Sequence, residues 1–74
     1  MYEKMIRRMV DAKLRKEHNI SIMQPERLNF ENQHDIFINF EYSGLVFDYI
    51  KGGMITKLII GFVSADGITI SFVE

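Results

Sequence analysis

Hydrophobic residues change their spacing part-way along this chain, and that change constrains the fold more than any single residue does. Tyr2, Met5, Ile6, Met9, Val10 and Leu14 recur at three- and four-residue intervals. From Ile36 onward the apolar positions alternate instead: Ile36, Ile38, Phe40 and Tyr42, then Leu45, Phe47 and Tyr49, then Ile68, Ile70 and Phe72. The first spacing lines one stripe of a helix, and the second lines one side of a strand. At 74 residues there is room for one domain. The pattern predicts an α+β fold in which one N-terminal amphipathic helix, about residues 2–18, packs on a four- or five-stranded antiparallel β-meander, about 27–73.

Local signals refine this plan. Basic residues gather toward the end of the helix, where they complement its dipole, and Asn19 suits a left-handed stop. Ile20 and Ile22 fit a short extended piece, and Pro25 ends any element that needs an amide donor there. Leu28 and Phe30 suggest a short edge strand near Arg27–Glu31, followed by a polar loop, Asn32-Gln33-His34-Asp35. Three turns follow in the expected meander. Ser43-Gly44 is read as a two-residue turn that sets Phe40 opposite Phe47, and Gly52-Gly53 as another that sets Phe47 opposite Leu58 and Asp48 opposite Lys57. A three-residue loop, Ala65-Asp66-Gly67, then pairs Phe62 with Ile70.

That register sorts the side chains into two faces. Ile36, Ile38, Phe40, Tyr42, Leu45, Phe47, Tyr49, Leu58, Ile60, Phe62, Ile68, Ile70 and Phe72 are expected beneath the helix. Phe37, Val46, Ile50, Ile55, Ile59, Val63 and Val73 are expected on the other face, among Asn39, Glu41, Asp48, Lys57, Thr69 and Ser71. A sheet facing only water alternates more cleanly than this, and no second helix is available to cover the surface. The expected partner interface is therefore Phe37, Val46, Ile50, Ile55, Ile59 and Val63, most simply in a homodimer.

A chain this short buries only ~60% of its unfolded surface, but 47% of its residues are hydrophobic, so its core is rich for its size. It has no cysteine, hence no disulfide framework, and its longest apolar runs, Leu58–Ile60 among them, have three residues, far below the ~20 of a membrane helix. The first residues lack the basic-then-apolar order of a secretory signal, so a cytoplasmic protein is expected.

The residues that carry chemistry elsewhere have simpler roles here. His18 and His34 belong to no ligand cluster of metal-site spacing, so no metal and no cofactor is expected. Ser64 lacks the close flanking glycines of a nucleophile elbow. Asp48, Tyr49 and Lys57 read as a surface ion pair beside a core tyrosine, and Gly52-Gly53 reads as a turn rather than a phosphate cradle. The chain is expected not to be an enzyme.

Charge is distributed unevenly beneath a net charge of −1. Residues 1–18 carry six cations against three anions, and the remainder carries three against seven. Lys4, Arg7, Arg8, Arg15 and Lys16 form a basic helix face that could meet phosphates, but a single helix makes no helix-turn-helix, and the sheet's acids oppose a polyanion. The function expected first is a small non-catalytic protein-binding module acting through an apolar sheet face. Its size and helix-plus-meander plan resemble small phage- or prophage-type regulators and inhibitors. The alternative is a nucleic-acid-associated regulator that uses the basic helix face.

Overall fold

The computed structural model describes residues 2–31 and 37–73. Helix α1 spans Tyr2–Lys13 and continues as one wider, π-type turn, Leu14–His18. Asn19 ends it in the left-handed conformation (φ 58°, ψ 36°), its N–H donating to the Leu14 carbonyl. Asparagine tolerates that backbone better than most residues, which is why the helix stops here. Lys13 and Glu17 form an ion pair at 2.9 Å, and that hydrogen bond holds the Glu17 carboxyl below its usual range.

Strand β1 (Ile20–Ile22) follows at once, then a 3₁₀ turn at Pro25–Arg27 and strand β2 (Asn29–Glu31). Two twelve-residue strands, β3 (Phe37–Asp48) and β4 (Gly53–Ser64), and the shorter β5 (Gly67–Val73) complete the chain. All pairings are antiparallel, in the order β1-β3-β4-β5, and β2 also pairs with β3. The architecture is thus the expected α+β one, with the helix on one face of a five-stranded sheet. The polar loop and His34 at 32–35, and Ile36, lie outside the described residues.

The register differs from the expected one, and aromatic packing explains why. No turn forms at Ser43-Gly44, because β3 runs straight through it. Tyr42 lies along its own strand over Gly44, where a Cβ would sit 3.1 Å from the Tyr42 hydroxyl. That hydroxyl donates to the Leu45 carbonyl at 2.6 Å. Gly44 thus seats a ring, one of the close approaches for which a strand uses glycine. Phe40 pairs with Gly61 and not Phe47, and Phe47 pairs with Met54 and not Leu58.

The remaining turns are shifted too. The β3–β4 connection is Tyr49–Gly52, closing on Asp48 opposite Gly53. Asp48 Oδ1 accepts the N–H groups of Ile50 (2.9 Å) and Lys51 (3.0 Å), and its carbonyl accepts that of Gly52 (2.7 Å). Gly52 itself adopts φ 73°. Asp48 is therefore a turn residue, and Lys57 stands opposite Gly44 with its ammonium 5.0 Å from the Phe72 ring centre. Ser64 pairs with Gly67, so the last loop is the two residues Ala65-Asp66, with Ser64 Oγ accepting the Asp66 N–H. Phe62 then pairs with Thr69, and Gly61 with Ile70.

Ile6, Val10 and Leu14 of the helix meet Ile20, Leu28, Phe40, Tyr42, Val46 and Ile59 in one buried cluster. Ile38, Ile55, Val63, Ile68, Ile70 and Phe72 pack around it. A twelve-residue helix is ~18 Å long against ~40 Å for a twelve-residue strand, so α1 roofs about half of the long hairpin. Met5 and Met9, expected in the apolar stripe, are more than two-fifths exposed on its flank. Tyr42 has no exposed surface. Tyr42→Phe removes one hydrogen bond but orphans nothing, because Leu45 O also accepts the Met23 N–H at 3.2 Å. The expected loss is ~1 kcal/mol, a fall of roughly 4–8 °C in Tm by circular dichroism.

Candidate functional site

Because β3 is uninterrupted, residues 42 and 45 point to opposite sides of the sheet, and the strand residues of β3 and β4 after Gly44 change face relative to the expected arrangement, whereas Ile68, Ile70 and Phe72 of β5 keep theirs. Val46 and Ile59 are fully buried under the helix, and Ile55 and Val63 pack against the same core. They form no open surface. Of the expected interface set, Phe37 stays on the uncovered face with its ring 6.4 Å from that of Phe62, and Ile50 lies in the β3–β4 turn, 77% exposed.

The uncovered face is built instead from residues expected in the core. Leu45, Phe47, Leu58, Ile60 and Phe62 share it with Met54 and Val73. Their cross-strand order makes two regions. Toward the Tyr49–Gly52 turn, Phe47 faces Met54, Leu45 lies beside them, and the Phe47 and Tyr49 rings meet edge-on at 5.1 Å. At the other end the sheet grows more polar, and a shallow groove of ≈390 Å³ runs between Glu31, Asn39, Glu41, Phe62, Thr69 and Ser71. Leu45, Ile60 and Phe62 are each 39% exposed, Tyr49 52% and Met54 54%. Side chains of this kind, adjacent on one sheet face, exceed the scattered exposure that soluble surfaces normally show.

The basic helix face lies on the opposite side of the molecule and is not uniformly solvated. Arg7 Nη2 donates to the Leu28 carbonyl at 2.8 Å, and its guanidinium lies 5.2 Å from the Phe30 ring centre. Arg15 Nε is 3.4 Å from Asp11 Oδ2. Lys4, Arg8 and Lys16 are exposed. The sequence marked these cations but held no signal that Arg7 would turn inward, since its acceptor is a backbone carbonyl twenty-one residues away.

The residues weighed for chemistry are dispersed. Asp48 caps a turn, Ser64 caps another, and Lys57 lies over Phe72. His18 meets Phe72 edge-on at 4.9 Å. Among the described residues no three of His, Cys, Asp and Glu converge, and no helix is long and apolar enough to cross a membrane. Compared with known protein families, with curated proteins and with solved structures, the chain has no significant match in any of the three.

Proposed function

We propose that the protein is a small, non-catalytic, cytoplasmic protein-binding module that pairs with a second copy of itself through the uncovered face of its sheet. The observation that carries this reading is the apolar half of that face, Leu45, Phe47, Tyr49, Met54 and Leu58, which no described element covers. A second copy suits it on three counts. The patch is apolar and therefore complementary to itself, as a twofold interface requires. The molecule measures 37 × 22 × 20 Å, so a contact spreading outward from the apolar half has room to approach, but not exceed, the ~800 Å² that each partner contributes to a standard stable interface. Two such faces can pack as sheets do, ~10 Å apart with interleaved side chains.

The charges fit the same arrangement. Glu31 and Glu41 lie by the groove at the far end, away from Phe47 and Met54, so a contact centred on the apolar half leaves both acids in water. A dimer of this kind would hold two basic helix faces outward. This suits a regulator or inhibitor of the phage-type class, whose action follows from what it binds. Sedimentation equilibrium is the test. A dimer at micromolar concentration is expected, and a clean monomer at ~100 μM, a concentration at which even weak interfaces of this size associate, overturns the self-pairing.

A further inference from the structure

On the opposite side from the sheet face, α1 and the segment from Ser21 to Leu28 enclose a pocket of ≈250 Å³. Arg7, Arg8, Arg15, Asp11 and Ser21 supply its polar lining. Three guanidinium groups thus share the site with one carboxylate, and that carboxylate is already engaged. Asp11 Oδ1 accepts the Ser21 hydroxyl at 3.3 Å, and Oδ2 faces Arg15. Among the described residues the groups that contact the Arg7 guanidinium are neutral, a backbone carbonyl and an aromatic ring. Its Nη1 is buried without a hydrogen-bond partner. A guanidinium drawn this far from water without an anion is costly, and the charge it projects is poorly screened.

We infer that this pocket binds a small phosphate-bearing molecule. Arg8 and Arg15 are the exposed forks that would grip the phosphate oxygens, since the planar guanidinium matches them bidentately. Arg7, pinned by Leu28, is the fixed charge behind them. The volume lies just below the ~300–1,000 Å³ of typical small-molecule sites, which suits a phosphomonoester with few further atoms. Lys4 and Lys16 do not line the pocket, so the site is a discrete one rather than a track along the helix. Asp11 limits affinity, because it places a like charge beside the incoming anion.

Amide and arginine side-chain NMR titrations with inorganic phosphate and with phenyl phosphate test this. Saturable shifts confined to Arg7, Arg8, Arg15 and Ser21 are expected, with a dissociation constant of ~1 mM or tighter for phenyl phosphate. Arg8→Gln and Arg15→Gln should each weaken binding about tenfold, while Lys4→Gln and Lys16→Gln change it by less than about twofold. Asp11→Asn should tighten it severalfold, an outcome that a purely structural role for Asp11 would not give. Unsaturated shifts with both probes overturn the proposal. So does equal loss from the lysine and arginine variants. Tighter binding of a short oligonucleotide, with a steep dependence on salt, would replace the pocket with a polyanion surface.

Discussion

Gly61→Val is expected to destabilise the domain by about 3 kcal/mol or more, lowering Tm by roughly 12–24 °C. Gly61 sits mid-strand in β4, between Phe40 on β3 and Ile70 on β5. A Cβ there would collide with the Thr69 carbonyl oxygen and stand 2.6 Å from Phe40 Cζ. The carbonyl is part of the sheet and cannot swing away, and Phe40 is only 3% exposed at the centre of the core. Relief of the clash therefore requires either β5 or the Phe40 ring to move, and each movement undoes packing elsewhere. Gly53→Ala is the control. Nothing lies within 4 Å of a Cβ at that position, so a change within about 0.5 kcal/mol is expected. Thermal unfolding of both variants at one protein concentration decides the matter, and a Gly61→Val protein as stable as the parent would show that β5 is not where it is placed.

The same glycines explain which parts of the fold could be read from the sequence. The switch of hydrophobic period located the helix and the strands, and Asn19 marked the helix end, because both signals are local and depend on backbone geometry alone. Phe30 and its neighbours marked β2 for the same reason. Turn assignment failed where glycine has two physical uses. Gly44 and Gly61 accommodate the Tyr42 and Phe40 rings, whereas Gly52, at φ 73°, does turn the chain. A glycine that seats an aromatic ring and one that reverses the chain are the same letter, and a twelve-residue strand is longer than most. Placing a turn at Ser43-Gly44 was thus the natural choice.

That one choice carried through to the site. A side chain's face alternates at every residue, so a strand broken at position 43 and a strand left whole disagree about the strand residues that follow through β4, until a last loop of two residues in place of three returns Ile68, Ile70 and Phe72 to the core side. The expectation of an apolar sheet face with no cover rested on apolar residues occupying both sides of the strands while only one helix was available. That mixture holds in either register, and among the described residues the structure does show such a face. The names of its residues depended on parity, and they exchanged places, with Leu45, Phe47, Ile60 and Phe62 outside while Val46, Ile55, Ile59 and Val63 lie under the helix. The pocket at Arg7 was out of reach in either case, since it needs the chain to fold Leu28 back against α1.

Adjacent residues make the parity testable. Ile59→Lys and Ile60→Lys insert the same charge one position apart, and they are expected to do opposite things. Ile59 has no exposed surface and lies between Tyr42 and Phe72, and the buried cluster around it holds no carboxylate among the described residues. Its replacement should cost roughly 3–5 kcal/mol, a large fraction of what a domain this size has, and should unfold much of the population. Ile60 is 39% exposed and stands across from Glu41 and Ser71. A lysine there can extend into water or toward Glu41, so monomer stability should change by less than about 1 kcal/mol. In a dimer centred on the apolar half this lysine stays at the solvated margin beside Glu41 and should change association little, whereas Leu45→Lys would be buried against apolar side chains, and association should weaken by roughly 100-fold. Circular dichroism and sedimentation on the three variants separate the possibilities. A folded Ile59→Lys beside an unfolded Ile60→Lys would invert the sheet. A folded Leu45→Lys that still sediments as a dimer would keep the fold and move the interface off this face.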